Sequence, residues 1–266
     1  MHDRNPTESA SHSQSQRWCV MLLGNEISQD QPLVRRLNAL HRLSDAGTAA
    51  INQVLSEKTL KAGAGEELVS EGDRADRVRL FLSGWACRYK VLEDGRRQIV
   101  NFILPGETCD PHIYLFSTMD HSIATLTPVI YSELERASFE RLVSMDTSVA
   151  EAFNCETLAA ISVQREWAIN LGRRDALERV AHMMCELFER LRVVGLVDSN
   201  SFAFPVTQTD MADATGLSTV HVNRTLQELR ASGLITLKDR SLTIHDFQAL
   251  CTTAMFNPNY LHLDRK

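Results

Sequence analysis

The stretch that decides the fold is TQTDMADATGLSTVHVNRTLQELRASGLITLKDRSLTI, residues 207–244. Thr207 followed by Asp210 is typical of the capping box that begins a helix. Gly216 ends this helix, because a residue without Cβ adopts the left-handed conformation of a tight turn at little cost. Ser218 then caps a second helix. Its buried stripe comprises Val222, Leu226 and Leu229. Helix, glycine turn, serine cap and helix in this order predict a helix-turn-helix.

The opposite face of the second helix is rich in hydrogen-bond donors, and no acidic residue lies between positions 218 and 227. The N-terminal half of a recognition helix meets base edges in the major groove. There, arginine pairs with guanine and asparagine with adenine. We therefore predict a base-reading set of Thr219, His221, Asn223 and Arg224. The alternative is a solvated helix face.

Two short apolar runs follow, at 234–237 and 242–244, and Lys238-Asp239-Arg240 joins them. Two strands connected by a basic turn predict a wing, whose cations contact phosphate and position the protein without reading sequence. The predicted contacts with the DNA backbone are made by Thr207, Gln208, Ser218, Lys238 and Arg240.

Residues 58–136 have the pattern of β-structure, with glycines recurring at short intervals between apolar or alternating stretches. Asp94-Gly95 supplies the positive φ that a hairpin turn needs. Short strands at this spacing predict a sandwich or roll. In front of them, apolar residues at helical spacing predict two helices between Pro32 and Leu55.

Residues 147–171 contain no glycine or proline and predict one long helix, ended by Gly172. Its stripe alternates four and three positions apart, as in a heptad seam. We interpret it as a dimer helix, since a DNA-reading module profits from two-fold symmetry. The alternative is a helix packed on its own domain. The predicted interface residues are Val149, Phe153, Ala160, Val163 and Trp167.

The chain has 266 residues, a net charge of −6 and a hydrophobic fraction of 44%, which are ordinary values for a soluble protein. It has no run of about 20 apolar residues and no signal-peptide pattern, so we expect a cytoplasmic protein without a membrane partner. Residues 1–31 predict a disordered leader, and whether translation starts at Met1 or Met21 stays open. The predicted divisions are a sensory domain at 32–146, the dimer helix at 147–172 and a DNA-binding domain at 173–266.

Residues 207–244, together with GEELVSEGDRADRVRLFLSGWACRYKVLEDGRRQIVNFILPGE at 65–107, resemble the Crp/Fnr superfamily of bacterial transcription regulators. The resemblance spans residues 33–250. It implies an α+β fold with an N-terminal antiparallel β-roll, a long dimerisation helix and a C-terminal winged helix-turn-helix. It also implies a homodimer that binds palindromic double-stranded DNA and contacts RNA polymerase, with Arg224 reading a base. Family members usually carry glutamate at the place of Val220, so the usual half-site sequence does not transfer.

The sequence of the sensory half lacks the ligand-binding motifs of the family members whose ligands are known. Cyclic-nucleotide binders carry a glutamate near the place of Pro111 and an Arg-Ser/Thr-Ala run where this chain has His121-Ser122-Ile123, so we expect no cAMP binding. Iron–sulfur members carry several N-terminal cysteines, and here only Cys19 is present, so a four-cysteine cluster is not available. Haem or metal ligation by Cys109 and His112 stays open beside an ordinary loop.

The leading interpretation is a DNA-binding regulator whose roll senses an unidentified signal. Two alternatives of the same architecture are a ligandless constitutive regulator and a redox sensor using Cys87 or Cys109, for which Arg88 is the one hint. The six cysteines form no CxxC pair, which excludes a zinc ribbon, and we expect reduced thiols. We find no motif of an enzyme nucleophile, P-loop, zincin or dinucleotide site and expect no enzyme.

Overall fold

The computed structural model describes residues 31–263. Cys19, Met21 and all but the last residue of the predicted leader lie outside these residues. The helices are α1 Pro32–Leu40, α2 Asp45–Glu57, α3 Arg136–Met145, α4 Thr147–Arg173, α5 Ala176–Val193, α6 Gln208–Thr215, α7 Thr219–Ala231 and α8 Phe247–Ala254. The strands are β1 Leu60–Ala62, β2 Glu67–Val69, β3 Arg77–Ser83, β4 Ala86–Val91, β5 Arg97–Ile103, β6 Thr108–Cys109, β7 Ser122–Thr125, β8 Val129–Glu135, β9 Ser201–Ala203, β10 Ile235–Lys238 and β11 Ser241–Ile244. Two short 3₁₀ helices span Ile113–Leu115 and Pro258–Leu261.

Strands β1–β8 form the roll, which consists of two four-stranded antiparallel sheets with strand orders β1-β8-β3-β6 and β2-β7-β4-β5. Phe81 of β3 and Ile123 of β7 come from different sheets and share one buried cluster. The predicted hairpin joins β4 to β5, and Gly95 has a φ of 85° in its turn. The β-roll of the predicted α+β fold is therefore confirmed.

Helix α1 packs closely on the turn that precedes β6. Gly106 in this turn has a φ of 91°, and a Cβ built there would lie 2.5 Å from the carbonyl oxygen of Pro32. Both the backbone conformation and the close approach require glycine. Leu33 and Leu37 of α1 are fully buried, so this helix is a fixed part of the roll.

Helix α4 is the long helix, with 27 residues. The sequence predicts that Gly172 ends it, but the helix continues through Gly172 to Arg173. A capping box begins the next helix: Asp175 accepts a hydrogen bond from the Glu178 amide and the Glu178 carboxylate accepts one from the Asp175 amide. This reciprocal cap, rather than a glycine turn, separates α4 from α5.

The C-terminal half is built around α5, whose apolar stripe contacts α7 and α8. The wing strands β10 and β11 form a three-stranded sheet with β9. The sequence pattern predicts neither β9 nor α8. Across the part of the chain that the structure describes, no helix combines the length and apolar character needed to cross a membrane.

Candidate DNA-binding surface

The helix-turn-helix consists of α6, the turn at Gly216 and α7. Thr207 and Asp210 form the predicted capping box at the start of α6. Gly216 ends α6 with a φ of 65° and a ψ of 28°, in the left-handed region. The Ser218 hydroxyl oxygen accepts a hydrogen bond from the His221 amide, 3.2 Å away, and so fixes the first turn of α7. The local signals identified from sequence therefore determine where both helices begin and where the first one ends.

The orientation of α7 is set by its apolar stripe. Val222, Leu226 and Leu229 have no exposed surface. The first two turns consequently direct their other side chains outward, and the exposed residues there include the predicted base-reading set: Thr219, His221, Asn223 and Arg224. Val220 lies among these donors and is 79% exposed. From sequence, Val220 stands out only because family members usually carry glutamate at its place. An apolar residue among donors on this face also indicates a position that contacts a ligand.

The wing is a tight hairpin. Lys238 of β10 pairs with Ser241 of β11, and the two residues between them, Asp239 and Arg240, have φ values of 50° and 58°. Positive φ at both turn positions is the type I′ geometry that matches strand twist. Lys238 and Arg240 are exposed, although the Lys238 ammonium lies 3.9 Å from the Asp239 carboxylate.

The remaining predicted backbone contacts are placed at helix starts. Gln208 and Ser218 are exposed. The Ser218 oxygen accepts the capping hydrogen bond, which leaves its O–H available as a donor. Thr207 differs, because its hydroxyl donates to Asp210 Oδ2 at 2.6 Å. That hydroxyl is committed within the protein, so Thr207 positions α6 rather than offering a free donor.

The predicted dimer seam on α4 faces the interior of its own chain. Val149, Phe153, Val163 and Trp167 are all buried. Phe153 stacks edge-on against Phe139 at 5.0 Å, and the Trp167 indole donates to the Glu186 carboxylate at 3.1 Å. Their assignment to a dimer interface is therefore wrong, because these side chains have no surface left for a partner, and Ala160 alone of the predicted set is partly exposed.

The exposed side of α4 carries a second stripe, which we call the outer face: Leu158, Ile161, Arg165, Ala168 and Ile169. Leu158 is 61% exposed and Ile161 44%. Positions 158, 161, 165 and 168 repeat the three–four spacing of the buried stripe, two positions away from it. Two positions are about 200° around an α-helix, so the outer face lies opposite the buried one.

The candidate sensor residues do not form a site. Cys87 and Cys109 are buried in separate hydrophobic clusters. Burial raises the pKa of each thiol to about 12, which makes both poor thiolates. His112 instead contacts Asn154 of α4 through Nε2 at 3.2 Å and meets the ring of Phe139 edge-on. The redox assignment of Cys87 and Cys109 is therefore wrong, and the loop does not present Cys109 and His112 as a ligand pair.

The roll holds an ion-pair cluster around Asp110. The Asp110 carboxylate lies 3.3 Å from Arg88 Nε and 3.3 Å from His121 Nε2. Burial would raise the pKa of Asp110, but Arg88 and His121 outweigh it and hold this pKa at about 2. Asp110 is therefore an anion at neutral pH. Arg88 and His121 therefore already have an anionic partner within the chain.

Within residues 31–263, no three or more histidine, cysteine, aspartate or glutamate side chains gather in a group that could hold a metal ion.

Two arginines, Arg97 and Arg190, form ion pairs between the roll and the C-terminal half. Arg97 of β5 donates to Asp210 at 2.6 Å and to Asp213 at 2.7 Å, both on α6. Arg190 of α5 is buried and binds Glu107 of the roll at 2.7 Å. Sequence reasoning missed these contacts, because each pairs residues about 80 or more positions apart.

A β-roll, a long helix and a winged helix-turn-helix with an exposed donor-rich helix define a DNA-binding transcription regulator. Residues 59–146 match the model of the cyclic nucleotide-binding domain, and residues 178–253 match that of the Crp-like helix-turn-helix domain. Transcriptional activator protein FnrL of Cereibacter sphaeroides is 29% identical over 225 residues, which are 83% of this chain and 89% of FnrL.

Nitrogen fixation regulation protein FixK of Bradyrhizobium diazoefficiens is 30% identical over 183 residues, which are 69% of this chain and 76% of FixK. The solved structure of FixK2 from Bradyrhizobium japonicum superposes with a TM-score of 0.66 at 26% identity and covers 74% of this chain and 96% of that one. The chain belongs to the Crp/Fnr family of transcription regulators.

Proposed function

We propose that this protein is a homodimeric, sequence-specific DNA-binding regulator that reads a palindromic site through α7. The observation that carries the proposal is the division of α7 into a fully buried apolar stripe and an exposed, donor-rich N-terminal half. Donors suit the acceptor atoms that purines present in the major groove. Two modules related by a two-fold axis read half-sites about one helical turn apart.

The side chains of the surface take different roles. Thr219, His221, Asn223 and Arg224 read base edges. Val220 is exposed beside them and suits contact with a thymine methyl group. Gln208, Ser218, Lys238 and Arg240 hold phosphates.

The dimer forms through the outer face of α4. Leu158, Ile161 and Ile169 are among the most exposed large apolar side chains of the described chain. Positions 158, 161, 165 and 168 of this face have the three–four spacing by which two helices pack along a shared seam. A second copy of the chain buries this face and brings two copies of α7 to one side of the dimer, as a palindromic operator requires.

Selection of bound duplexes from a random pool tests the proposal. We expect enrichment of a palindrome with half-sites about one helical turn apart. A matched Asn223→Ala/Arg224→Ala variant keeps the buried stripe of α7 and should elute as the same dimer without enriching that palindrome. Enrichment of a single asymmetric site, or of none, by the wild-type protein would overturn the proposal.

Control by a signal is a separate part of the proposal. A change in the roll has a direct route to the helix-turn-helix, because Arg97 of β5 binds two carboxylates of α6. A ligand-independent regulator is the second candidate. The Arg88–Asp110–His121 cluster favours it, because the Asp110 carboxylate provides the negative charge that a bound ligand would otherwise bring to Arg88 and His121. The second candidate predicts nanomolar operator affinity without added ligand, unchanged by cAMP or cGMP. A tenfold change with either nucleotide would exclude it.

Several relatives are named transcriptional activators, and from this we propose an activating role in the bacterial cytoplasm. The bound dimer then contacts RNA polymerase. Transcription reconstituted from purified components should rise when the dimer occupies a site upstream of the promoter. A fall in transcription at that upstream site would show a repressor instead.

A further inference from the structure

The C-terminal half contains two cysteines in contact. The sulfur atoms of Cys185 on α5 and Cys251 on α8 lie 3.9 Å apart. Both are free thiols. Helices α5 and α8 share an extensive interface, so the pair joins two packed helices rather than two mobile loops.

Helix α8 is anchored at both ends, which keeps the two sulfurs together. Asp246 caps its start by accepting a hydrogen bond from the Ala249 amide at 2.9 Å. At its end, Arg174 donates to the carbonyl oxygens of Ala254 and Met255 at 3.2 and 3.3 Å. Between these anchors, the ring of Phe247 packs on Phe188 of α5 at 4.6 Å. The approach of Cys251 to Cys185 is thus built into the packing.

The two thiols have different environments. Cys185 is fully buried, whereas Cys251 is partly exposed. Burial raises the pKa of Cys185, and the contact with the Cys185 thiol lowers the pKa of Cys251. Glu189, one turn from Cys185, opposes ionisation of both. An accessible thiol with a buried thiol beside it is the arrangement of an attacking cysteine and its resolving partner.

We propose that Cys185 and Cys251 form a reversible redox site that a hydroperoxide converts into an intramolecular disulfide. The two sulfurs, 3.9 Å apart, must come closer to reach the S–S distance of about 2.05 Å in a disulfide. In a reducing compartment, such a bond is transient and responds to oxidant.

The reaction balances with hydrogen peroxide as the oxidant. The Cys251 thiolate attacks one peroxide oxygen and the O–O bond breaks, which leaves a sulfenic acid on Cys251 and a hydroxide that takes up the Cys251 proton. The Cys185 sulfur then attacks the Cys251 sulfur and the S–O bond breaks. The departing hydroxyl takes the Cys185 proton and leaves as water. Two thiols lose two electrons in total, and one peroxide becomes two waters.

The bond would link α5 to α8 across the module that carries α7. A cross-link that closes the segment between 185 and 251 restricts the unfolded chain more than the folded one. We therefore expect the oxidised protein to unfold at a temperature about 5 °C or more above that of the reduced protein. Dithiothreitol should restore the lower value.

Peptide mapping of the full-length protein tests the proposal. After peroxide and alkylation, tryptic peptides 180–190 and 241–265, each with one cysteine, should appear as one cross-linked species in the wild type. The species should be absent from Cys251→Ser and Cys185→Ala and unchanged in the control Cys155→Ser, whose thiol lies on α4. Dithiothreitol should separate the two peptides.

Three results with the wild-type protein would overturn the proposal: a cross-link between other cysteines, a cross-link between two chains, or oxidation of Cys251 beyond the sulfenic acid without a cross-link. All three are read from the wild type, so a variant that fails to fold does not affect the outcome.

Discussion

Helices α4 and α7 both carry an apolar stripe at helical spacing, but the two stripes have different consequences for function. On α7, the stripe is buried and the opposite face displays donors. On α4, the stripe has the spacing of a dimer seam, but it is buried within its own chain. An apolar stripe therefore predicts that a face is covered, but not whether the same chain or a second chain covers it.

We expect the largest change in the free energy of unfolding from a substitution on the buried face of α4. Phe153 is fully buried and packs on Phe139, so Phe153→Ala should lower the free energy of unfolding by about 3–5 kcal/mol. Urea denaturation at two protein concentrations measures this. The loss should be the same at both concentrations, since the contact lies within one chain. The comparison variant Leu158→Ala, on the outer face, should lose stability mainly at the lower concentration. If Phe153→Ala instead lost stability mainly at the lower concentration and Leu158→Ala did not, the buried stripe would be part of the dimer interface.

The outer face of α4 should control assembly. Leu158→Glu with Ile161→Glu places two charges on the proposed contact between chains, so we expect monomers by light scattering. Operator affinity should fall by about 100-fold or more, roughly 2.7 kcal/mol, because a single module binds one half-site. Met145→Glu is the matched control, since Met145 on α3 is as exposed as Leu158. A stable dimer of the double variant would show that another surface joins the chains.

The local features of α7 were predictable from sequence, and its buried face followed from them. Gly216 ends one helix and Ser218 begins the next through contacts with residues only a few positions away. The same holds for the Gly95 hairpin and the Asp175 capping box. These features depend on contacts a few residues apart, which a sequence shows directly.

The partner of α4 was not predictable, because it depends on contacts distant in sequence. Glu156, a polar residue at a position of the buried stripe, is itself buried and pairs with Arg36 of α1 at 3.0 Å. Such a partner, 120 positions away, leaves no trace in the heptad spacing. The contact of Cys185 with Cys251 is equally hidden, since the two residues are 66 positions apart.

On α7, one residue tests whether this helix reads bases. Arg224 is exposed on the second turn, and Arg224→Ala should cost about 1–3 kcal/mol at the selected operator while affinity for a scrambled duplex stays nearly unchanged. Fluorescence anisotropy with both duplexes measures the difference. Arg230→Ala controls for the loss of a cation, because Arg230 lies on the last turn of the same helix. An equal loss on both duplexes would make Arg224 a phosphate contact.

The smallest effect is expected in the wing, where charge holds the DNA without reading it. Lys238 is exposed at the hairpin, and a phosphate contact by its ammonium releases about one counterion. Lys238→Ala should therefore weaken the operator and the scrambled duplex alike and reduce the slope of log affinity against log salt by about one unit. Lys61→Ala, at an exposed position of β1 in the roll, should leave the slope unchanged. Asp239→Asn gives the opposite test: its carboxylate lies 3.9 Å from the Lys238 ammonium and competes with phosphate, so its neutralisation should strengthen both duplexes. If Lys238→Ala instead lowered the affinity for the operator alone, the wing would read sequence, and base reading would not be confined to α7.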